Sequence, residues 1–121
     1  MKGDLPRLQA AARLRRQAAE TRLAQLERQI RRLLAEAEDT DTPGPAAPAP
    51  QTGGDLLFAA RWDAHRARRS QVLRGEAARL EANRASARRM LAHALRRELA
   101  LDILSDEAAA DARQRAQRRE G

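Results

Sequence analysis

Few side chains in this sequence have types and spacings suited to chemistry. Its two histidines are His65 and His93, and there is no cysteine, so neither a disulfide nor a Cys/His zinc set can be assembled. On a single helix His65 and His93 would lie on the order of 42 Å apart along the axis, too far to share a metal. Carboxylates are plentiful, but no HExxH, glycine-rich phosphate loop or Ser/His/Asp set accompanies them. Carboxylates on a thin pair of helices also lack the cleft whose burial would perturb a pKa. The residues therefore predict no catalytic, cofactor or metal site, and a protein that is not an enzyme.

One constellation of rare residues stands out. Phe58, Trp62, His65 and Arg69 follow one another at i, i+4, i+7 and i+11 in a chain with one phenylalanine, one tryptophan and no tyrosine. That spacing puts all four on one side of a helix. They are open to two readings. Packing against Ile30, Leu33 and Leu34 would make Phe58 core, with Trp62 either core or surface. Alternatively the four form a partner-binding face, because aromatics and arginine are the usual interface anchors.

The element that must position them runs from Asp55 to about Arg118, with no proline and Gly75 as its one internal glycine. As one helix, about 64 residues would extend roughly 95 Å. Large residues appear at once (Leu56, Leu57, Phe58, Trp62), and Asp55 is placed to cap the helix. A 3-4 stripe follows through Ala59, Leu73, Ala77, Leu80, Ala87, Leu91 and Ala94, with polar intruders at Arg66, Ser70 and Arg84. Beyond Ala94 the stripe is read as lost. Leu95, Leu99, Leu101, Ile103 and Leu104 spread around the cylinder, Ser105-Asp106-Glu107 suggests a bend or break, and the polar tail after Arg113 is expected to fray.

An earlier helix is predicted over about 4–39, capped by Asp4 with Pro6 in its first turn. Its seam is Leu5, Ala12, Ala19, Leu23, Leu26, Ile30, Leu33 and Ala37, with Gln9 and Arg16 as intruders. A strict seven-residue repeat implies a left-handed supercoil with another helix. Residues 40–54, with Pro43, Pro45, Pro48 and Pro50 among glycines, read as a partly polyproline-like linker. The fold class is therefore all-α: one coiled-coil domain over 1–121, two long helices in an antiparallel hairpin, the second (about 55–118) longer. A symmetric fold-back places residue 37 opposite about 57 and residue 5 opposite about 90. It leaves everything after about Leu91 overhanging, and exposed apolar residues there call for a partner.

Composition narrows the classes further. The chain has 121 residues, 42% hydrophobic but 2% aromatic, 34% charged, with a net charge of +7. Little β-branching and much alanine, leucine, arginine and glutamate favour helix. All basic residues but Lys2 are arginine, which reflects either attraction to an acidic partner or phosphate or a biased genome. Arginine-dense stretches would allow sequence-blind phosphate contacts. However, there is no aromatic platform for single strands and no basic helix leading into a clean leucine zipper. The acid and proline in Met1-Lys2-Gly3-Asp4-Leu5-Pro6 do not suit a signal peptide, and Leu56 to Ala60 is too short to cross a bilayer. A soluble, cytoplasmic protein is expected.

A short, basic, cysteine-free chain with two long helices around a mid-chain loop resembles the flagellar export protein FliJ family, and equally the rod-like stalk proteins of the related injectisome. The stretch Leu101-Asp102-Ile103-Leu104-Ser105-Asp106-Glu107-Ala108-Ala109-Ala110-Asp111, followed by Arg113, Arg115 and Arg118, is similar to the acidic, leucine-containing segment that ends many members. The resemblance implies a non-enzymatic component of the flagellar or type III protein export apparatus, a coiled-coil stalk linking the export ATPase hexamer to the cytosolic domain of the export gate. It implies a gate-facing role for Phe58, Trp62, His65 and Arg69, and an ATPase-facing role for Leu95, Leu99, Leu101, Ile103 and Leu104. It places the protein in the cytoplasm, peripheral to the inner-membrane export apparatus. The alternatives are a generic coiled-coil scaffold that self-associates and an arginine-rich, non-specific nucleic-acid-binding protein.

Overall fold

The computed structural model describes residues 3–42 and 52–121. Its described elements are two helices, α1 (Asp4–Asp41) and α2 (Gly53–Glu120), the second nearly twice as long at 68 residues against 38. This is the expected all-α helical hairpin. The expected polyproline-like stretch, Pro43 to Pro50, lies outside the described residues.

Helix ends depart slightly from expectation, for local reasons. The α2 cap is Thr52 rather than Asp55: its Oγ1 accepts the Asp55 N–H at 3.1 Å, a standard way to satisfy a first-turn donor. Gly53 and Gly54 thereby join the helix. At the end of α1, Thr40 and Thr42 hydroxyls donate to the Glu36 and Glu38 carbonyls, both at 2.8 Å, and α1 runs on to Asp41. Nor does α2 break at Ser105 or fray after Arg113; it is helical to Glu120. Ser105 continues the seam spacing and is half-buried, so helix packing outweighs its tendency to cap. Alanine, glutamine and arginine after it are all good helix formers.

The chain divides into two compact units, one of residues 24–85 and one of residues 1–23 with 86–121. In the first, Leu26, Ile30 and Ala37 of α1 are buried, as are Leu73, Ala77 and Ser70 of α2. These are the positions that the 3-4 spacing selects. Two ion pairs straddle the seam, Arg69 to Glu36 at 3.4 Å and Arg74 to Asp41 at 2.7 Å. They correct the symmetric fold-back: the end of α1 lies beside residues 69–74 of α2, not beside residue 57. The start of α2, with Leu56, Leu57 and Phe58, therefore extends past the last residue of α1.

In the unit of residues 1–23 and 86–121, Ala12 and Ala87 are buried. Leu5, Ala19, Leu23, Leu91, Ala94 and Leu101 are half-buried. The α1 intruders find polar partners here. Gln9 Nε2 donates to Asp102 at 3.0 Å, and Arg16 Nε donates to Glu98 while its Nη1 pairs with Glu20 at 3.1 Å. The Arg16 guanidinium is held above its ordinary pKa by Glu20 first and Glu98 second. The stripe thus does not end at Ala94. It continues through Glu98, Leu101 and Ser105 to Ala112, all half-buried, with the Glu98 carboxylate at a position of apolar spacing. The expected overhang from Leu91 is corrected too, because α1 pairs with α2 at least as far as Asp102. A polar residue at a seam position meets a match in one register only, which makes these pairs register-fixing.

The Asp41 site carries a pH dependence. Hydrogen bonds from Arg74 and then Ser70 hold the Asp41 carboxyl below the ordinary aspartate range. A depressed folded-state pKa contributes stability that is complete above the unfolded value and is lost as pH falls through the folded one. Circular-dichroism melts are expected to show Asp41→Asn lowering the melting temperature at pH 7, with the gap to the parent closing below about pH 4. A gap that stays constant down to pH 2 would mean that the pair contributes nothing through ionisation.

Candidate functional site

The aromatic constellation is built on the α2 side of unit 24–85. Trp62 and His65 stack with ring centroids 5.8 Å apart and planes 29° apart, which the i, i+3 spacing on a helix permits. Together with Arg66, Arg69 and the α1 end residues Asp39, Thr40 and Thr42 they line an open depression of about 350 Å³. Arg69 is also tied to Glu36 of α1. Arg66, an intruder in the seam, donates to Asp63 at 3.3 Å, and its Nε is buried without a partner. Thus Trp62, His65 and Arg69 are brought together as the spacing predicts.

Phe58 is not. The expectation that it packs in the core against Ile30, Leu33 and Leu34 is corrected: Phe58 is 71% exposed, beside exposed Leu56 and Leu57. The reason is the register, since Ile30 and Leu33 sit deeper in α1 and Phe58 lies beyond the end of that helix. Trp62, left open between core and surface, is 53% exposed. Burying such rings against a partner would remove large apolar area from water.

The second set lies in the unit of residues 1–23 and 86–121. Leu95, Leu99, Ile103 and Leu104 are exposed, Leu99 at 61%. Leu95, Leu99 and Ile103, at i, i+4 and i+8, share a face turned away from the seam. Leu101 falls in the seam and is half-buried. The exposure of the others therefore has a different origin from the one expected: they point outward from a paired helix.

Sequence reading missed Glu98 and Asp102 as partners of Arg16 and Gln9. The signal was present, since Glu98 continues the α2 spacing and Asp102 lies one turn further along, but neither is apolar. It also missed a depression of about 550 Å³ between α1 and α2, near Arg15, Arg22, Met90, His93 and Arg97. Among the described residues, no three His, Cys, Asp or Glu side chains are grouped to hold a metal ion, and no helix is long and apolar enough to cross a membrane.

No protein-family model, no curated protein and no solved structure matches the chain.

Proposed function

We propose that this chain is a non-catalytic docking protein, a helical hairpin that joins protein partners through apolar side chains its own seam leaves uncovered. Following the resemblance to the FliJ family, the partners are an export ATPase hexamer and the cytosolic domain of an export gate, and the protein works in the cytoplasm as the stalk between them. The carrying observation is the exposure of Phe58 and Trp62 at the start of α2, where Phe58 lies past the end of α1, and of Leu99, Ile103 and Leu104 on the outer side of a paired helix. Large apolar residues gathered outside a core are the usual mark of an interaction surface. On this reading Phe58, Trp62, His65 and Arg69 meet the gate, and Leu95, Leu99, Ile103 and Leu104 meet the ATPase.

The test is to add the purified chain to a candidate export ATPase and follow hexamer formation and ATP turnover. Both are expected to rise saturably with the chain, and no change in either would remove the export reading. Self-association at micromolar concentration without the ATPase would instead indicate a scaffold. Binding to a DNA duplex that weakens steeply with salt would indicate a nucleic-acid protein.

A further inference from the structure

The depression between α1 and α2 in the unit of residues 1–23 and 86–121 differs in character from the aromatic site. Its floor is apolar, made by Ala18, Ala19 and Ala87 with Met90, which is 66% exposed. Arg15, Arg22 and Arg97 stand around it, and among the described residues no carboxylate lines it. These three arginines form no ion pair with any described residue, unlike Arg16, Arg66, Arg69 and Arg74.

The depression is one stretch of a longer face. Leu8, Arg15 and Arg22 recur every seven residues on α1, and Met90, Arg97 and Leu104 do so on α2. Seven-residue recurrence keeps each row on one side of its helix. Leu8 and Leu104 are both exposed. With Gln9 paired to Asp102, Leu8 and Leu104 fall together at one end, so the face presents an apolar end, an alanine floor and arginine flanks over about 14 residues, roughly 21 Å of helix. Alanine admits a third helix at close approach, and unpaired arginines select its charge.

The geometry points to a docking site for an acidic amphipathic helix of a partner protein. Its apolar stripe seats on Ala18, Ala19, Ala87 and Met90, and its carboxylates, spaced by about one heptad, meet Arg15, Arg22 and Arg97. Nucleic acid satisfies the arginines but leaves Met90 and the alanine floor uncovered. The inference does not rest on the export reading, and its test uses no component of an export apparatus.

The probe is a labelled 21-residue helical peptide with leucines on one face and glutamates flanking them at seven-residue spacing. Fluorescence anisotropy at low salt is expected to show saturable binding. The Arg15→Glu, Arg22→Glu, Arg97→Glu variant should bind at least about tenfold more weakly, and should instead take up the same peptide with lysine for glutamate. Three results would each overturn the proposal: undiminished binding by the variant, equal binding of a peptide whose leucines are replaced by serine, or equally effective competition by a DNA duplex of matched charge. Should the triple variant lose helicity, the exposed single change Met90→Glu takes its place. A several-fold loss of affinity supports the site, and unchanged affinity overturns it.

Discussion

Replacing Leu73 with alanine is expected to cost about 2–5 kcal/mol and to abolish a cooperative thermal transition in unit 24–85. Among the described residues Leu73 and Leu26 are the largest fully buried side chains, each 1% exposed. Of the other described buried apolar residues only Ile30 is large; Ala12, Ala37, Ala77 and Ala87 contribute little area each. A domain's whole stability is typically about 5–15 kcal/mol, and a two-helix fold buries too little surface to sit high in that range. One leucine is therefore a large share of the total. Leu26→Ala should behave in the same way. Leu99→Ala, on an exposed position, should change stability by no more than about 0.5 kcal/mol. Circular-dichroism melts of the three variants check the ranking, and equal losses in all three would contradict the placement of the core.

The second large effect concerns binding. In the double variant Phe58→Ala, Trp62→Ala the melting temperature is expected to stay near the parent's, because neither ring fills the seam. Affinity for the gate domain is expected to fall by about 2 kcal/mol or more, roughly thirtyfold, the loss typical when central aromatic anchors are removed. The two readouts separate the alternatives that sequence left open. Lost stability would return the rings to the core, whereas lost binding at unchanged melting makes them an interface. His65 stacks on Trp62, so His65→Ala should reproduce part of the binding loss by freeing the indole to reorient.

The fold was legible because helix packing depends on residue spacing, and spacing is explicit in sequence. Every residue of the α1 seam, Leu5 to Ala37 with Gln9 and Arg16 included, is buried or half-buried. The same is true of Leu73, Ala77, Leu80 and Ala87 on α2. Register was not legible, since sliding one seven-residue repeat along another preserves every seam residue. A symmetric turn was the simplest choice, but the polar matches decide otherwise. Gln9 meets Asp102 and Arg16 meets Glu98, an arrangement found only by pairing intruder with intruder. In the unit of residues 1–23 and 86–121 that offset covers Leu101 and removes the overhang expected from Leu91; in unit 24–85 the Arg69–Glu36 and Arg74–Asp41 pairs leave Phe58 past the end of α1. The arginine-flanked depression was hidden for a related reason: it is made by two rows on different helices that only the correct register sets side by side.

Register is therefore the claim on which the rest depends, and the cysteine-free chain allows a direct measurement. One variant carries Gln9→Cys with Asp102→Cys, and another carries Leu5→Cys with Met90→Cys, the pair that a symmetric fold-back would oppose. Each is treated at high dilution with a short bis-maleimide, and intramolecular cross-links are scored by gel mobility and peptide mapping. The account predicts rapid closure of the 9/102 pair and little of the 5/90 pair. Efficient closure of 5/90 with none of 9/102 would contradict it.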